Sequence, residues 1–174
     1  FVLQDVYGLD EIVFGLAFGA CALAYVLGTL VAQPMVTRRG FAWTLGIGCV
    51  LQAGGGVLML LGIGFGPGHA SEIVGPMMIF MVGVGIGFPQ SMAGALLPFP
   101  ERAGAASSLM GLSQMSLAAI VGVLVGHGVG TSAWPLAIAV ATMGIAALVI
   151  FVATRSARVV GILSETKGRV GRDI

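Results

Sequence analysis

The stretch that decides the fold runs from Glu101 to Arg155 and reads ERAGAASSLMGLSQMSLAAIVGVLVGHGVGTSAWPLAIAVATMGIAALVIFVATR. Between its opening charge pair and Arg155, 52 consecutive residues carry no charge. At about 1.5 Å per residue, a helix of that length would far exceed the roughly 30 Å of a bilayer core, so the chain must reverse once. The segment GHGVGTSAWP at 126–135 favours that reversal, because its glycines permit a turn and Pro135 suits a first helical turn.

Composition places the whole chain in a lipid environment. Of its 174 residues, 57% are hydrophobic and only 9% are charged, and the mean hydropathy is +1.06. A soluble domain carries charge on about a quarter of its residues. We therefore expect a lipid bilayer around the protein, and the formal net charge of +1 gives no reason to expect a nucleic-acid partner.

The remaining charge-free runs each predict one membrane span. The run at 12–37 has 26 residues and the run at 73–100 has 28, against the roughly 20 that a bilayer core requires. A third run ends in GFGPGHAS at 64–71, a turn signal at the water boundary. The sequence thus predicts an all-α membrane protein, a polytopic transmembrane helix bundle. Its five spans are expected at about 12–36, 41–63, 73–97, 105–126 and 134–154.

The ends of the chain suggest a fragment. The chain begins at Phe1 without an initiator methionine, and FVLQDVYG resembles the outer end of a further span. We expect 1–11 to be a truncated span with its outer loop, 12–154 to be the membrane domain, and 155–174 to be a disordered cytoplasmic tail.

The basic residues predict the orientation. If five spans alternate, all eight lysines and arginines fall on one side, which the positive-inside rule makes cytoplasmic. The protein is then a multi-pass protein of the cell membrane. The basic residues on that side are Arg38, Arg39, Arg102, Arg155, Arg158, Lys167, Arg169 and Arg172.

The third span carries a narrow face of small and polar residues. Gly83, Gly87, Gln90 and Gly94 recur at i, i+4, i+7 and i+11, and Pro89 beside the amide can kink the helix. Glycines at this spacing favour close helix packing, with hinges as the alternative. The amide must face a partner helix or a wet cavity. An interhelical hydrogen bond and a cavity role both remain open for Gln90.

The fourth span repeats the pattern. Ser107, Gly111, Gln114 and Ala118 share one face, and Ser108 lies beside it. This face fits a helix that lines an aqueous path, with Gly111 also available for helix packing. The alternative is that the serine hydroxyls bond back to their own backbone.

Nothing in the sequence predicts an enzyme. The only lysine is Lys167, so no phosphate-binding GxxxxGK[ST] motif exists. His69 and His127 fall in predicted outer loops with no clustered ligands at metal-binding spacing, and Cys21 and Cys49 lie in separate spans. We expect no catalytic residues, no metal and no cofactor.

Several segments together resemble the second half of a major facilitator superfamily transporter. They are the loop RRG after GTLVAQPMV, the segment FPQSMAGALLPFPERAGAASSLMGLSQ and the SAWP that opens the last span. AGAASSLMG at 103–111 is most similar to the drug/proton antiporters of the bicyclomycin and chloramphenicol resistance type, Bcr/CflA. The resemblance implies that the five spans are spans 8–12 of a twelve-span fold.

The resemblance also implies roles for the loops. GTLVAQPMVTRRG at 28–40 resembles a degenerate form of the family's loop motif that lacks the aspartate of that motif. Arg38, Arg39 and Gly40 then serve topology and lipid-headgroup anchoring more than gating, and Glu101 and Arg102 form a second cytoplasmic turn. Alternating access and proton coupling are implied, with protons carried by acidic residues of the absent N-terminal half.

The favoured function is export of small amphipathic substrates by proton antiport. Its hydrogen-bonding cavity candidates are Gln90, Ser91, Ser107, Ser108 and Gln114, and its apolar candidates are Met92, Met110 and Met115. A metabolite or sugar carrier of the same fold is one alternative. A non-transporting membrane assembly subunit, in which every glycine face serves packing, is the other.

Overall fold

The computed structural model describes residues 10–65, 71–128 and 133–154, and it confirms the predicted all-α membrane fold. Five helices in this part of the chain are long and apolar enough to cross a membrane. The predicted tail at 155–174 and positions 1–9 lie outside the described residues. The helices are α1 (Glu11–Arg39), α2 (Phe41–Gly64), α3 (Ser71–Leu96), α4 (Ala103–Gly128) and α5 (Trp134–Ala153), with a short 3-10 turn at Pro100–Arg102.

The junction between α1 and α2 is a single residue. Gly40 has a φ of +84°, in the left-handed region that favours glycine, and its N–H donates to the carbonyl of Val36 at 2.9 Å. Thr44 is fully buried one turn into α2, and its hydroxyl donates to the Gly40 carbonyl at 3.0 Å. Arg38 and Arg39 occupy the last turn of α1, where cations interact favourably with the helix dipole.

Helix α2 is the centre of the bundle, with α3 on one side and α5 on the other. Its glycines let the backbones meet. A Cβ added at Gly55 would lie 2.7 Å from the backbone nitrogen of Phe80 on α3, and one at Gly56 would lie 2.6 Å from the Cα of Ala141 on α5. In lipid, such close backbone approach replaces hydrophobic expulsion as the source of helix association.

Helix α1 packs against the opposite side of α3 through a stripe of small residues. Ala24, Gly28 and Ala32 are buried at a spacing of four residues. A Cβ at Gly28 would collide with the carbonyl of Val82, so these two helices also touch along their backbones.

The apolar core lies where the end of α2 meets the starts of α3 and α5. Its buried members are Met59, Ile63, Ile73, Ala133, Ala137 and Val140. At the other end of the bundle, a Cβ at Gly94 would meet the ring of Phe41 at 2.7 Å, so the start of α2 lies beside the end of α3. Arg38, Arg39 and Arg102 lie at this second end, which we call the basic end.

Helix α4 stands apart from the other four. Its few contacts are mainly with α3, α5 and the 3-10 turn, and none of its side chains that the structure describes is buried. Leu109, Leu112 and Leu117 are all more than half exposed. A helix with large exposed apolar residues in this setting faces lipid or a further helix.

Candidate substrate-binding site

A groove of about 320 Å³ runs between α2, α3 and α5. We call it the α2–α3–α5 groove. It extends from Gln52, in the middle of α2, to Thr154, just after α5, and so opens toward the basic end. Its apolar walls are formed by Leu45, Val84, Phe88, Ala147, Ile150 and Phe151.

Beside the Cys49 thiol, three side chains with oxygen or nitrogen atoms line this groove, and each of the three makes a hydrogen bond. The Gln52 Nε2 donates to the carbonyl of Gly83 at 3.3 Å, which joins α2 to α3. The Ser91 hydroxyl donates to the Gly87 carbonyl at 2.9 Å, and the Thr154 hydroxyl donates to the Ile150 carbonyl at 2.8 Å. These bonds fix the three side chains against the groove wall.

Gln52 is a site residue that the sequence analysis missed. It is the one amide in the predicted span 41–63, and the rule that mid-span amides face a partner or a cavity applies to it as it does to Gln90. A Cβ at Gly87 would lie 3.3 Å from the Gln52 Nε2, so the missing side chain of Gly87 leaves room for this amide.

The predicted candidates on α3 divide between the groove and its surroundings. Ser91 lines the α2–α3–α5 groove, whereas Gln90 and Met92 are half-buried and are not among its lining residues. Gly83 lies at the closest approach to α2, where a Cβ would be 2.7 Å from the carbonyl oxygen of Gly48. The cavity role of Gln90 stays a prediction.

The candidates on α4 lie away from the groove, since none of the groove's lining residues comes from that helix. Gln114 and Met110 are half-buried, and Met115 is 70% exposed. Gly111 has no atom within 4 Å of an added Cβ in the described part of the chain, so its packing role remains a prediction. Ser107 and Ser108 both donate to the Gly104 carbonyl at 2.9 Å, as the alternative interpretation of the serines anticipated.

A second, almost wholly apolar cavity of about 500 Å³ lies between α1 and α3, toward the end opposite the arginines. Phe18, Cys21 and Tyr25 of α1 face Met77 and Met81 of α3 across it. With so few polar groups, it offers little for recognition of a specific ligand.

The basic end carries exposed charges. The Arg39 guanidinium stacks over the ring of Trp43, 4.4 Å from its centroid, in a cation–π contact. Glu101 and Arg102 are exposed in the 3-10 turn that leads into α4. Among the residues that the structure describes, no three His, Cys, Asp or Glu side chains lie close enough together to hold a metal ion.

Among known proteins, the chain is similar to one that is named as a transporter. The chain is 30% identical over 158 residues to the uncharacterized MFS-type transporter YdgK of Bacillus subtilis (strain 168), which covers 89% of this chain. The chain spans 38% of the length of that relative. No family model matches the chain, and no solved structure matches it.

Proposed function

We propose that this chain is part of a major facilitator superfamily transporter and corresponds to spans 8–12 of a twelve-span fold. The observation that carries the proposal is the 30% identity to an MFS-type transporter along 89% of the chain. Five helices long enough to cross a membrane fit that assignment. A transporter of this kind is not an enzyme and needs no cofactor.

The proposed activity is export of small amphipathic compounds by alternating access, coupled to protons as in Bcr/CflA-type antiporters. In this superfamily's architecture, two halves rock around a central site. The Asp, Glu, Lys, Arg and His residues of the five described helices lie only in terminal turns, at Glu11, Arg38, Arg39, Glu72 and His127. Proton coupling is therefore assigned to acidic residues in parts of the transporter beyond this chain.

Helix α4 is the proposed contact with the rest of the transporter. Its face with Ser107, Gly111 and Gln114 has small residues and an amide where a lipid-facing helix would carry large apolar ones. The open space at Gly111 leaves room for a helix backbone to approach. In this arrangement, Gln114 faces the central path and binds substrate there.

Efflux from cells tests the proposal. The protein that contains this chain is expressed in a bacterium deficient in drug efflux, and accumulation of labelled chloramphenicol and of ethidium is measured with and without a protonophore. We expect reduced accumulation of at least one probe, and we expect the protonophore to abolish the reduction. Unreduced accumulation of both probes would contradict drug export, and protonophore-sensitive uptake of a labelled sugar would favour the carrier alternative.

Two amide variants test the site. Gln114→Leu and Gln90→Leu should each lower the efflux rate while the amount of protein in the membrane stays normal. Thr142→Val is the control, because Thr142 is exposed on α5 and its one hydroxyl bond within the described residues goes to the Ile138 carbonyl of its own helix, at 2.6 Å. Efflux unchanged in both amide variants would remove these residues from the mechanism.

A further inference from the structure

We propose that the α2–α3–α5 groove is a binding site for a small, neutral, amphipathic hydrogen-bond donor of the alkylphenol or alcohol class. This inference goes beyond the proposed function, because the groove is built without α4 and without the amides assigned to the transport path. It holds whether or not the bound molecule is transported.

The size and walls of the groove suit a small apolar body. Its volume of about 320 Å³ falls at the lower end of the roughly 300–1,000 Å³ that is typical of ligand pockets. Phe88 and Phe151 supply aromatic surface from opposite walls, on α3 and α5. A single substituted ring with a short alkyl chain would fit this volume, with part of its surface left at the open side of the groove.

The polar groups of the groove point to a donor. A hydroxyl has one proton to give and two lone pairs to accept with. The hydroxyls of Ser91 and Thr154 each donate their hydrogen bond to a backbone carbonyl four residues earlier, and one N–H of the Gln52 amide donates to the Gly83 carbonyl. Both hydroxyl oxygens and the Gln52 Oε1 therefore keep the ability to accept, whereas one N–H of Gln52 remains to donate, so a ligand that donates has more partners in the groove than an acceptor-only ligand.

The absence of charged side chains from the groove disfavours the binding of ions. Its lining contains no acidic or basic residue, so an ammonium or a carboxylate would lose its hydration without gaining an opposite charge. The desolvation penalty of a neutral O–H group is much smaller, and one hydrogen bond within the groove offsets it.

The position of the groove gives such molecules a route in. The rim residue Ile150 is 62% exposed and Phe88 is 39% exposed, on surfaces that face the surroundings of the bundle. Amphipathic phenols and alcohols concentrate at the membrane–water boundary, where aromatic rings with a polar tip are favoured. The groove reaches that boundary at Thr154, beside the basic end.

Photolabelling tests the site. The full-length protein that contains this chain is reconstituted in lipid nanodiscs and labelled with a diazirine-bearing alkylphenol, and the labelled peptides are identified by mass spectrometry. We expect label on the peptides spanning 84–91 and 147–154. Labelling confined to other peptides would overturn the proposal.

Competition tests the chemical class. Excess 4-butylphenol should suppress labelling of the groove at a concentration about fivefold lower than its methyl ether, 4-butylanisole, which has the same body without the O–H. Equal competition by the two compounds would overturn the preference for a donor. Ser91→Ala should weaken competition by the phenol, whereas Ser113→Ala should not, because Ser113 has a similar backbone bond on α4 outside the groove.

A pair of alanine variants tests the location. Ala147→Phe places a ring in the groove and should abolish its labelling, while Ala146→Phe, at the neighbouring exposed position, should leave labelling unchanged. Retained labelling of the groove in an Ala147→Phe protein that folds normally would contradict the site. If the full-length protein exports neither chloramphenicol nor ethidium but its groove is still labelled, only the proposed function is contradicted.

Discussion

Gly144 is the position at which one added carbon should disturb the bundle most clearly. It is buried on α5 against α2, and a Cβ there would lie 2.5 Å from the carbonyl oxygen of Gln52, 2.7 Å from its carbonyl carbon and 3.0 Å from the Cα of Ala53. All three are backbone atoms of a neighbouring helix. No side-chain rotation can relieve the contact in Gly144→Ala, so α2 and α5 must move apart.

The size of the effect follows from these distances. Ordinary contact begins near 3.4 Å, so the 2.5 Å approach requires a shift of about 0.9 Å between the helices. Overpacking of this kind costs about 1–3 kcal/mol. The intrinsic preference of a helix for alanine over glycine offsets up to about 1 kcal/mol of that cost. A control with the same preference and no contact therefore isolates the cost of the clash.

Gly54→Ala is that control. Gly54 is exposed in the same part of α2, with no described atom within 4 Å of an added Cβ. The melting temperatures of both variants are measured in one detergent by intrinsic fluorescence. We expect Gly144→Ala to melt several degrees below Gly54→Ala, at about 2–4 °C for each kcal/mol. Equal melting temperatures, or a lower value for Gly54→Ala, would refute the close α2–α5 contact.

Three further predictions concern other contacts. Gln52→Leu should lower the free energy of unfolding by about 0.6–2 kcal/mol, since it removes the interhelical bond to Gly83; an unchanged melting temperature would show that this bond contributes nothing. A double-mutant cycle on Arg39→Gln and Trp43→Leu should give a coupling of about 0.5–1 kcal/mol in the same melting assay, and strict additivity would contradict the cation–π contact. Gly40→Ala should destabilise the protein by about 1–3 kcal/mol although the added carbon meets no described atom within 4 Å, because a φ of +84° with a ψ of 166° is a backbone conformation that essentially only glycine adopts; an unchanged melting temperature would argue against that conformation.

The five helices were predictable because a bilayer excludes charge and permits turns only at its boundaries. The charge-free runs therefore marked the spans, and the Gly/Pro-rich segments marked the reversals. Helix α5 begins at Trp134, where the sequence placed the start of the last span. The helix ends are within three residues of the predicted limits throughout.

The packing partners were not predictable, because residue spacing defines a helix face but not the neighbour of that face. Gly15 and Gly19 have the same four-residue spacing as Gly83 and Gly87. Within the described residues, an added Cβ meets nothing within 4 Å at the first pair, whereas the second pair lies against α2. The central position of α2 depends on long-range contacts that no local pattern encodes.

The candidate site was predicted in part for a related reason. The sequence identified Ser91, which lines the α2–α3–α5 groove, but not Gln52, whose place in the groove depends on the packing of α2 against α3. The hydroxyl orientations also depend on local geometry, since a helical serine can bond to its own backbone or turn toward a cavity. Ser107 does the former in this structure.

Accessibility from outside the cell tests the central claim, that five helices cross the membrane with the basic end in the cytoplasm. Single cysteines are placed in a cysteine-free background at Asp10 and Ser71, and at Thr37 and Ala103, which flank opposite ends of the described helices. A membrane-impermeant maleimide should label the first two in intact cells and the second two only after permeabilisation. Labelling of Thr37→Cys or Ala103→Cys in intact cells would contradict the orientation and the transporter assignment that relies on it.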